Sequence, residues 1–288
     1  MFKDAEEVST AAAAFLSAEF VGKALTYPIE EIGLEPGEVA EVPLGSSRVG
    51  GLPDLPKGAE WPTGPGGMPY AFIAQINLAE LRDAVGDASG LPESGLLSFF
   101  WDPEGGYDAV PENSRVIYTP DGELERLAFP EGLNALHEST AEFSEAGSSA
   151  AYAPPQPVSF YRGLAMPTSD VWVPEHEQKL GDLDDDNHPM AAAMDEFLHF
   201  LADSTYFQYP DWKRYQILGA PCAIQPDPRM NANGGRPEGR LDWLLLLQVP
   251  LAAWEIQGGA EGDLYFLAHR DDVEKRDFNN VRAVYQQT

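Results

Sequence analysis

The sequence is poor in cysteine, with Cys222 as the single example in 288 residues. One cysteine cannot form an internal disulfide, and its presence gives no indication of an oxidising compartment. It also cannot build a structural zinc site, which needs four ligands that usually include several cysteines. We therefore expect Cys222 to serve as a buried small apolar side chain.

Long apolar runs are also missing, since the longest is the four-leucine stretch from Leu244 to Leu247. A helix that spans a membrane needs about 20 mostly apolar residues. The apolar cluster at residues 11–16 is shorter than the core of a signal peptide. We therefore expect a cytoplasmic protein that does not enter a membrane.

Basic residues are scarce: 18 lysines and arginines stand against 47 aspartates and glutamates, for a formal net charge of −29. A negative surface of this size repels phosphate backbones and anionic lipids, so nucleic acid and membranes are not expected partners. Two interpretations of the charge stay open. It attracts a basic protein, or it only keeps the chain in solution.

Signatures of catalysis and metal binding are absent as well. The sequence has no Gly-x-Ser-x-Gly motif, and its five histidines show no metal-ligand spacing. The acidic tract at residues 182–188 resembles a calcium loop, but Asn187 and Ala193 stand where that loop needs a glycine and a carboxylate. We therefore predict neither a metal nor a cofactor.

The most prominent pattern in the sequence is a pair of apolar runs, each with a glutamine inside it. They are Tyr70 to Leu81 around Gln75 and Leu244 to Trp254 around Gln248. Other elements match in the same order. They are Val49–Pro53 with Tyr215–Pro221, Gly95–Phe100 with Gly262–Leu267, and Arg115–Tyr118 with Val281–Tyr285. Several matches in one order predict an internal duplication.

The predicted fold class is α+β, with two structural repeats of mostly antiparallel strands packed into one unit. Within a single domain, residues 26–120 form the first repeat, 121–210 an insertion with a linker helix, and 211–288 the second repeat. Helical spacing of apolar residues predicts an N-terminal helix over residues 6–23, capped by Asp4. The region 124–157 has little pattern and is predicted to be a surface excursion.

A helix after the acidic tract joins the repeats in this prediction. Its apolar side chains fall on one face, namely Met190, Met194, Phe197, Leu198 and Leu201.

Five motifs in a fixed order resemble the YwqG-like family, a bacterial domain of unknown function, over residues 44–285. They are Gly50–Pro53 with Glu60–Pro62, Phe72–Leu78, Gly95–Phe100, Gly219–Pro221 with Ile224–Gln225, and Arg276–Val281. The resemblance implies a single soluble cytoplasmic α+β unit made of two repeats, and it implies no chemistry. Ala220 departs from the aromatic residue that commonly follows the glycine in that family.

Candidate ligand-binding residues are the two matched glutamines, two tryptophans and one polar turn. An amide buried inside an apolar strand must be hydrogen-bonded, so Gln75 and Gln248 either face a ligand between the repeats or satisfy the backbone of neighbouring loops. His269 and Asp271 lie at the end of a predicted strand, where functional side chains are frequent. Trp61 and Trp101 complete the set, and no catalytic residue is assigned.

Three functions remain in view from the sequence. The first is a non-catalytic binding or protein-interaction domain. The second is a small-molecule hydrolase or ligand sensor that uses the cleft between the repeats, and the third is an acidic neutraliser of a basic toxin. The expected partner is accordingly a basic protein or a small molecule, and the oligomeric state is not indicated.

Overall fold

A computed structural model describes residues 2–24, 29–88, 90–102, 109–141, 149–165, 187–202, 215–254 and 262–287. The acidic tract at 182–186 lies outside these ranges, as does much of the predicted linker. Within them, no helix has both the length and the apolar character needed to cross a bilayer.

The fold is built mainly of strands, so the α+β prediction is wrong. Ten of the twelve described strands form one antiparallel sheet that nearly closes on itself, in the order β12-β11-β10-β9-β1-β8-β2-β4-β5-β6. The other two strands, β3 and β7, pair separately. Strand bounds are β1 Ile29–Pro36, β2 Arg48–Val49, β3 Asp54–Pro56, β4 Ala71–Asn77, β5 Leu96–Trp101, β6 Ser114–Thr119, β7 Leu124–Arg126, β8 Gln156–Ala165, β9 Gln216–Ile217, β10 Trp243–Pro250, β11 Gly262–His269 and β12 Arg282–Gln287.

The prediction went wrong because β1 and β8 join the two predicted repeats into one continuous sheet. β1 pairs with β8 along its whole length, and it also pairs with β9 through Ile32 and Gly33. β8 lies in the stretch that the sequence assigns to the insertion. Its residues alternate little in polarity, so its central place in the sheet is decided by long-range pairing.

The order of strands is symmetric about the β8–β1 pair, with β2-β4-β5-β6 on one side and β9-β10-β11-β12 on the other. Each side carries a β-bulge at the same place. In β4 the ladder skips Ile73, and in β10 it skips Leu246. A bulge bends the strand and increases its twist, so both sides curve in the same way.

Curvature brings the two ends of the sheet together around a shared apolar core. The rings of Phe99 and Phe266 lie 5.1 Å apart, and those of Trp101 and Tyr285 lie 6.0 Å apart. At the edges, the Ser114 hydroxyl donates to the Val281 carbonyl over 3.1 Å. Fully burying a phenylalanine side chain contributes about 1.5–3 kcal/mol, so these contacts stabilise the closure.

Helices are short and lie outside the sheet. Their bounds are α1 Ala5–Ala12, α2 Ala18–Ala24, α3 Leu78–Val85, α4 Glu131–Ala141, α5 Ala191–Ala202, α6 Pro228–Ala232 and α7 Arg270–Glu274.

The N-terminal helix differs from the prediction because it breaks in two, although Asp4 caps α1 by accepting from the Glu7 N–H. The break lets Phe15 pack against Phe197 of α5, with ring centroids 5.7 Å apart. Met190, Met194 and Phe197 of the predicted apolar face are buried in the same small cluster, although the helix begins only at Ala191. The side chains of Leu198 and Leu201 lie outside the described part of the chain.

The region 124–157 is more ordered than the sequence suggested. It contains β7, which pairs with β3, and α4, which buries Leu133 completely. A helix with one buried apolar residue carries little periodic signal, which explains why the pattern was not visible.

Two glycines mark matching tight contacts at the starts of β5 and β11. A Cβ at Gly95 would lie 2.7 Å from both the Thr119 carbonyl oxygen and the Tyr118 ring, and one at Gly262 would lie 2.6 Å from the ring of Tyr285. Gly95 also has a φ of +100°, which disfavours any side chain. Only glycine allows these strands to approach their neighbours.

We predict that Gly95→Ala destabilises the protein by about 3 kcal/mol, because it combines overpacking with an unfavourable backbone conformation. Urea unfolding measures the change. Gly58→Ala is the matched control, since Gly58 has a φ of +81° with nothing within 4 Å of a Cβ. This variant should lower the free energy of unfolding by only about 1 kcal/mol. Equal losses in the two variants would contradict the steric explanation.

Candidate functional site

Gln75 is fully buried in β4 and binds the irregular segment around β2, from Ser46 before that strand to Asp54 at the start of β3. Its Oε1 accepts from the Asp54 N–H over 2.9 Å, and its Nε2 donates to the Ser46 carbonyl and to Asp54 Oδ2 over 2.8 and 3.0 Å. Both ends of the amide are therefore satisfied inside the protein.

Gln248 does the same for the loop after β9. Its Oε1 accepts from the Cys222 N–H over 2.9 Å, and its Nε2 donates to the Cys222 carbonyl and to Asp263 Oδ2 over 3.1 and 2.6 Å. Gln75 pairs with Arg48 across the ladder and Gln248 pairs with Gln216. The two loops therefore stand in matching register, with Asp54 corresponding to Cys222.

Asp54 is a buried carboxylate held between two arginines. Its Oδ2 lies 2.9 Å from Nη1 of Arg48, which is itself fully buried, and its Oδ1 lies 2.8 Å from Nε of Arg126. Burial alone would raise the pKa of Asp54, but hydrogen bonds from Arg126, Arg48 and the Gly45 N–H outweigh it and hold this pKa well below its usual range. The cluster ties β7 to β2 and to the start of β3.

A second buried aspartate lies beyond β9. Asp227 caps α6 by accepting from the Arg229 N–H, and it receives the guanidinium of Arg229 through Nε and Nη2. Nε of Arg240 lies 3.3 Å from Asp227 Oδ2. The bridge fixes the orientation of Arg229.

Arg229 forms part of the wall of a cleft of about 440 Å³ at the junction of β1, β9 and β10. The charged lining residues are Glu30, Glu31, Asp87, Arg162, Arg229 and Arg270. The remaining lining residues are apolar or glycine, namely Ile32, Ala88, Leu218, Gly219, Ala220, Leu241, Trp243, Leu244 and Leu245. A volume of this size is within the range of small-molecule sites.

Several charged groups of the cleft are held in place by the fold. Arg162 of β8 donates to the carbonyls of Val85 and Asp87 at the end of α3, and its Nη1 lies 3.1 Å from Glu30. Glu31 lies buried, and its Cγ stands where a Cβ on Gly219 would be only 2.4 Å away. The glycine is thus required for β9 to pass over Glu31.

The structure places the predicted site residues apart from this cleft and mostly apart from one another. Gln75 and Gln248 bind loop backbone, as described above. Trp61 donates from Nε1 to the Tyr70 carbonyl and packs edge-on against Phe100, while Trp101 is buried at the end of β5.

His269 and Asp271 are brought together at the start of α7. The His269 ring caps this helix by accepting from the Asp271 N–H over 3.4 Å, and it packs edge-on against Trp243. Trp243, against which His269 packs, lines the cleft. The polar turn therefore contributes Arg270 to the lining of the cleft, whereas His269 and Asp271 are not among the lining residues.

Sequence reasoning missed the charged residues of the cleft because they come from distant parts of the chain. Glu31 and Arg162 lie on strands that pair only in the folded sheet, and Arg270 belongs to the turn next to His269. One signal was available: two consecutive glutamates in the β-branched stretch after Ile29 place one carboxylate on the buried face of a strand.

A family model described as a domain of unknown function (DUF1963) matches residues 47–286, which covers most of the chain. The match begins just before β2 and ends in β12, so it includes both matching sides of the sheet. No curated protein shows a significant match to the sequence.

We predict that Asp54→Asn lowers the free energy of unfolding by about 3 kcal/mol at pH 7, because it leaves the buried Arg48 without its counter-charge. Since the pKa of Asp54 is lowered in the folded protein, its contribution is complete above the unfolded pKa of about 4. It declines as the pH falls from there towards the folded value.

Urea unfolding of the wild type and Asp54→Asn between pH 7 and pH 2.5 measures this difference, which should shrink below about pH 4. The exposed Asp83→Asn variant is the control and should match the wild type throughout. A difference that stays constant down to pH 2.5 would show that the ionised carboxylate is not the stabilising species.

We further predict that Gln75→Leu and Gln248→Leu each lower the free energy of unfolding by about 2 kcal/mol, because each leaves a buried loop N–H without an acceptor. Chemical denaturation measures both. Gln156→Leu serves as the control, since its bond to the Gly37 carbonyl is solvent-exposed and water can replace it. A loss no larger than that of the control would rule out the anchoring role.

Proposed function

We infer that this chain, which belongs to the DUF1963 family of domains of unknown function, is a non-catalytic binding domain whose ligand site is the cleft between β1, β9 and β10. The observation that carries this proposal is the convergence of carboxylates and guanidiniums on one concave site, several of them held by the fold. Charges that are positioned before a ligand arrives reduce the ordering cost of binding.

Arg270 supplies the most accessible positive charge of the site. It is exposed at the start of α7, and the structure shows no ion pair for it within the described ranges. Arg162 and Arg229 are by contrast engaged by acceptors of the protein itself. Arg270 is therefore the group best placed to take the negative charge of a ligand.

Three further interpretations from the sequence, on the family, the duplication and the cellular location, are part of this proposal. We propose that the family is the YwqG-like one, that the matching sides of the sheet arose by duplication, and that the protein works in the cytoplasm. Matching bulges at Ile73 and Leu246, and matching glutamine-anchored loops, support the duplication.

We predict that Arg270→Glu abolishes ligand binding while leaving the fold intact, because it reverses the exposed charge at the rim of the cleft. Thermal shift of the purified protein against a panel of amino acids, short peptides, organic acids, sugars and nucleotides detects binding. At least one class should raise the Tm of the wild type and fail to do so for Arg270→Glu.

Lys275→Glu is the matched control, since it makes the same charge change at an exposed position at the opposite end of the same helix, outside the cleft lining. It should bind as the wild type does. Absence of any Tm shift across the panel, or an unchanged shift in Arg270→Glu, would reject the cleft as the ligand site.

A further inference from the structure

Leu218 occupies an unusual backbone conformation in the wall of the cleft. Its φ is +58°, in the left-handed region that favours glycine and disfavours branched or bulky side chains. Leu218 is one of two non-glycine residues with positive φ in the described part of the chain, the other being Arg276. The conformation is firmly held, because its N–H donates to Leu245 O and its carbonyl accepts from Gln216 Nε2.

The matching position on the other side of the sheet shows what the backbone requires here. In register with the paired glutamines, Leu218 corresponds to Gly50, and Gly219 corresponds to Gly51. Gly50 has a φ of +69°, close to that of Leu218. The turn therefore needs a left-handed residue in both places, and glycine meets that need on the first side at no steric cost.

A leucine at such a position is strained, and strained residues concentrate at functional sites where the side chain or the conformation is used. Leu218 lines the cleft together with Leu241 and Leu244, and it is only partly buried where it packs against the apolar core. Arg270, Glu30 and Asp87 line the same space. The cleft thus offers an aliphatic wall between charges of opposite sign.

We propose that Leu218 is a specificity-determining residue and that the cleft takes a zwitterionic ligand with aliphatic side chains, of the size of a dipeptide. This inference rests on the proposed function of the cleft. The ligand carboxylate binds Arg270, its ammonium group binds the carboxylates at the rim, and its aliphatic part packs against Leu218. The volume of about 440 Å³ suits a dipeptide.

Titration calorimetry with L-leucyl-L-leucine tests the ligand class against three analogues. Glycylglycine lacks the aliphatic side chains, N-acetyl-leucyl-leucine lacks the ammonium group, and leucyl-leucinamide lacks the carboxylate. We expect each analogue to bind the wild type at least tenfold more weakly than leucyl-leucine. Equal binding of glycylglycine would overturn the role of the aliphatic wall.

The variants Leu218→Gly and Leu218→Ala test the residue itself. Both should bind leucyl-leucine at least tenfold more weakly, and Leu218→Gly should unfold at a higher temperature than Leu218→Ala, because alanine keeps the strained conformation. Arg276→Gly is the control, as it relieves a similar φ of +57° outside the cleft lining and should leave binding unchanged. Wild-type affinity in both Leu218 variants would show that Leu218 serves packing alone.

The two proposals fail in different ways. If leucyl-leucine does not bind but another compound gives a Tm shift that Arg270→Glu removes, the cleft is a ligand site and the dipeptide class is wrong. If no compound gives such a shift, both proposals are rejected together.

Discussion

The fold depends on satisfying the backbone of two irregular loops that pass through the interior of the protein. Prolines and left-handed glycines keep these loops out of any ladder, so their N–H and carbonyl groups need other partners. Gln75 and Gln248 supply those partners from neighbouring strands, with bonds of 2.8–3.1 Å to backbone groups. Once the loops are anchored, the apolar strands can close around Phe99 and Phe266.

The two sides of the sheet use different charged residues at their anchored loops. Asp54 brings two arginines to the first loop, whereas Cys222 at the matching position bonds Gln248 through its backbone N–H and carbonyl. On the second side a buried aspartate that pairs with an arginine, Asp227, lies five residues beyond Cys222, and this arginine, Arg229, lines the cleft. The buried ion pairs of the first side belong to a structural cluster. The ion pair of the second side is shifted along the chain and forms part of the wall of the candidate site.

The cleft itself exists because β1 runs beside β9 with Glu31 under Gly219. On the first side, the matching glycines are covered by the chain at residues 153–155: a Cβ at Gly50 would lie 2.4 Å from the Pro154 carbonyl oxygen, and one at Gly51 would lie 2.7 Å from Pro155. On the second side the corresponding residues, Leu218 and Gly219, line the cleft instead. The matching halves thus differ where binding is proposed.

Sequence alone determined the main strands of the two matching sides and their order, because apolar runs, glycines and buried amides leave local signals that need no knowledge of the fold. It also indicated that the glutamines must be hydrogen-bonded, and it offered loop backbone as one of two partners. Tertiary structure decided the class of the fold and the place of the cleft. The fold class and the place of the cleft depend on β1 and β8, whose pairing joins residues more than 120 positions apart. No local sequence pattern indicates which distant strands will share backbone hydrogen bonds.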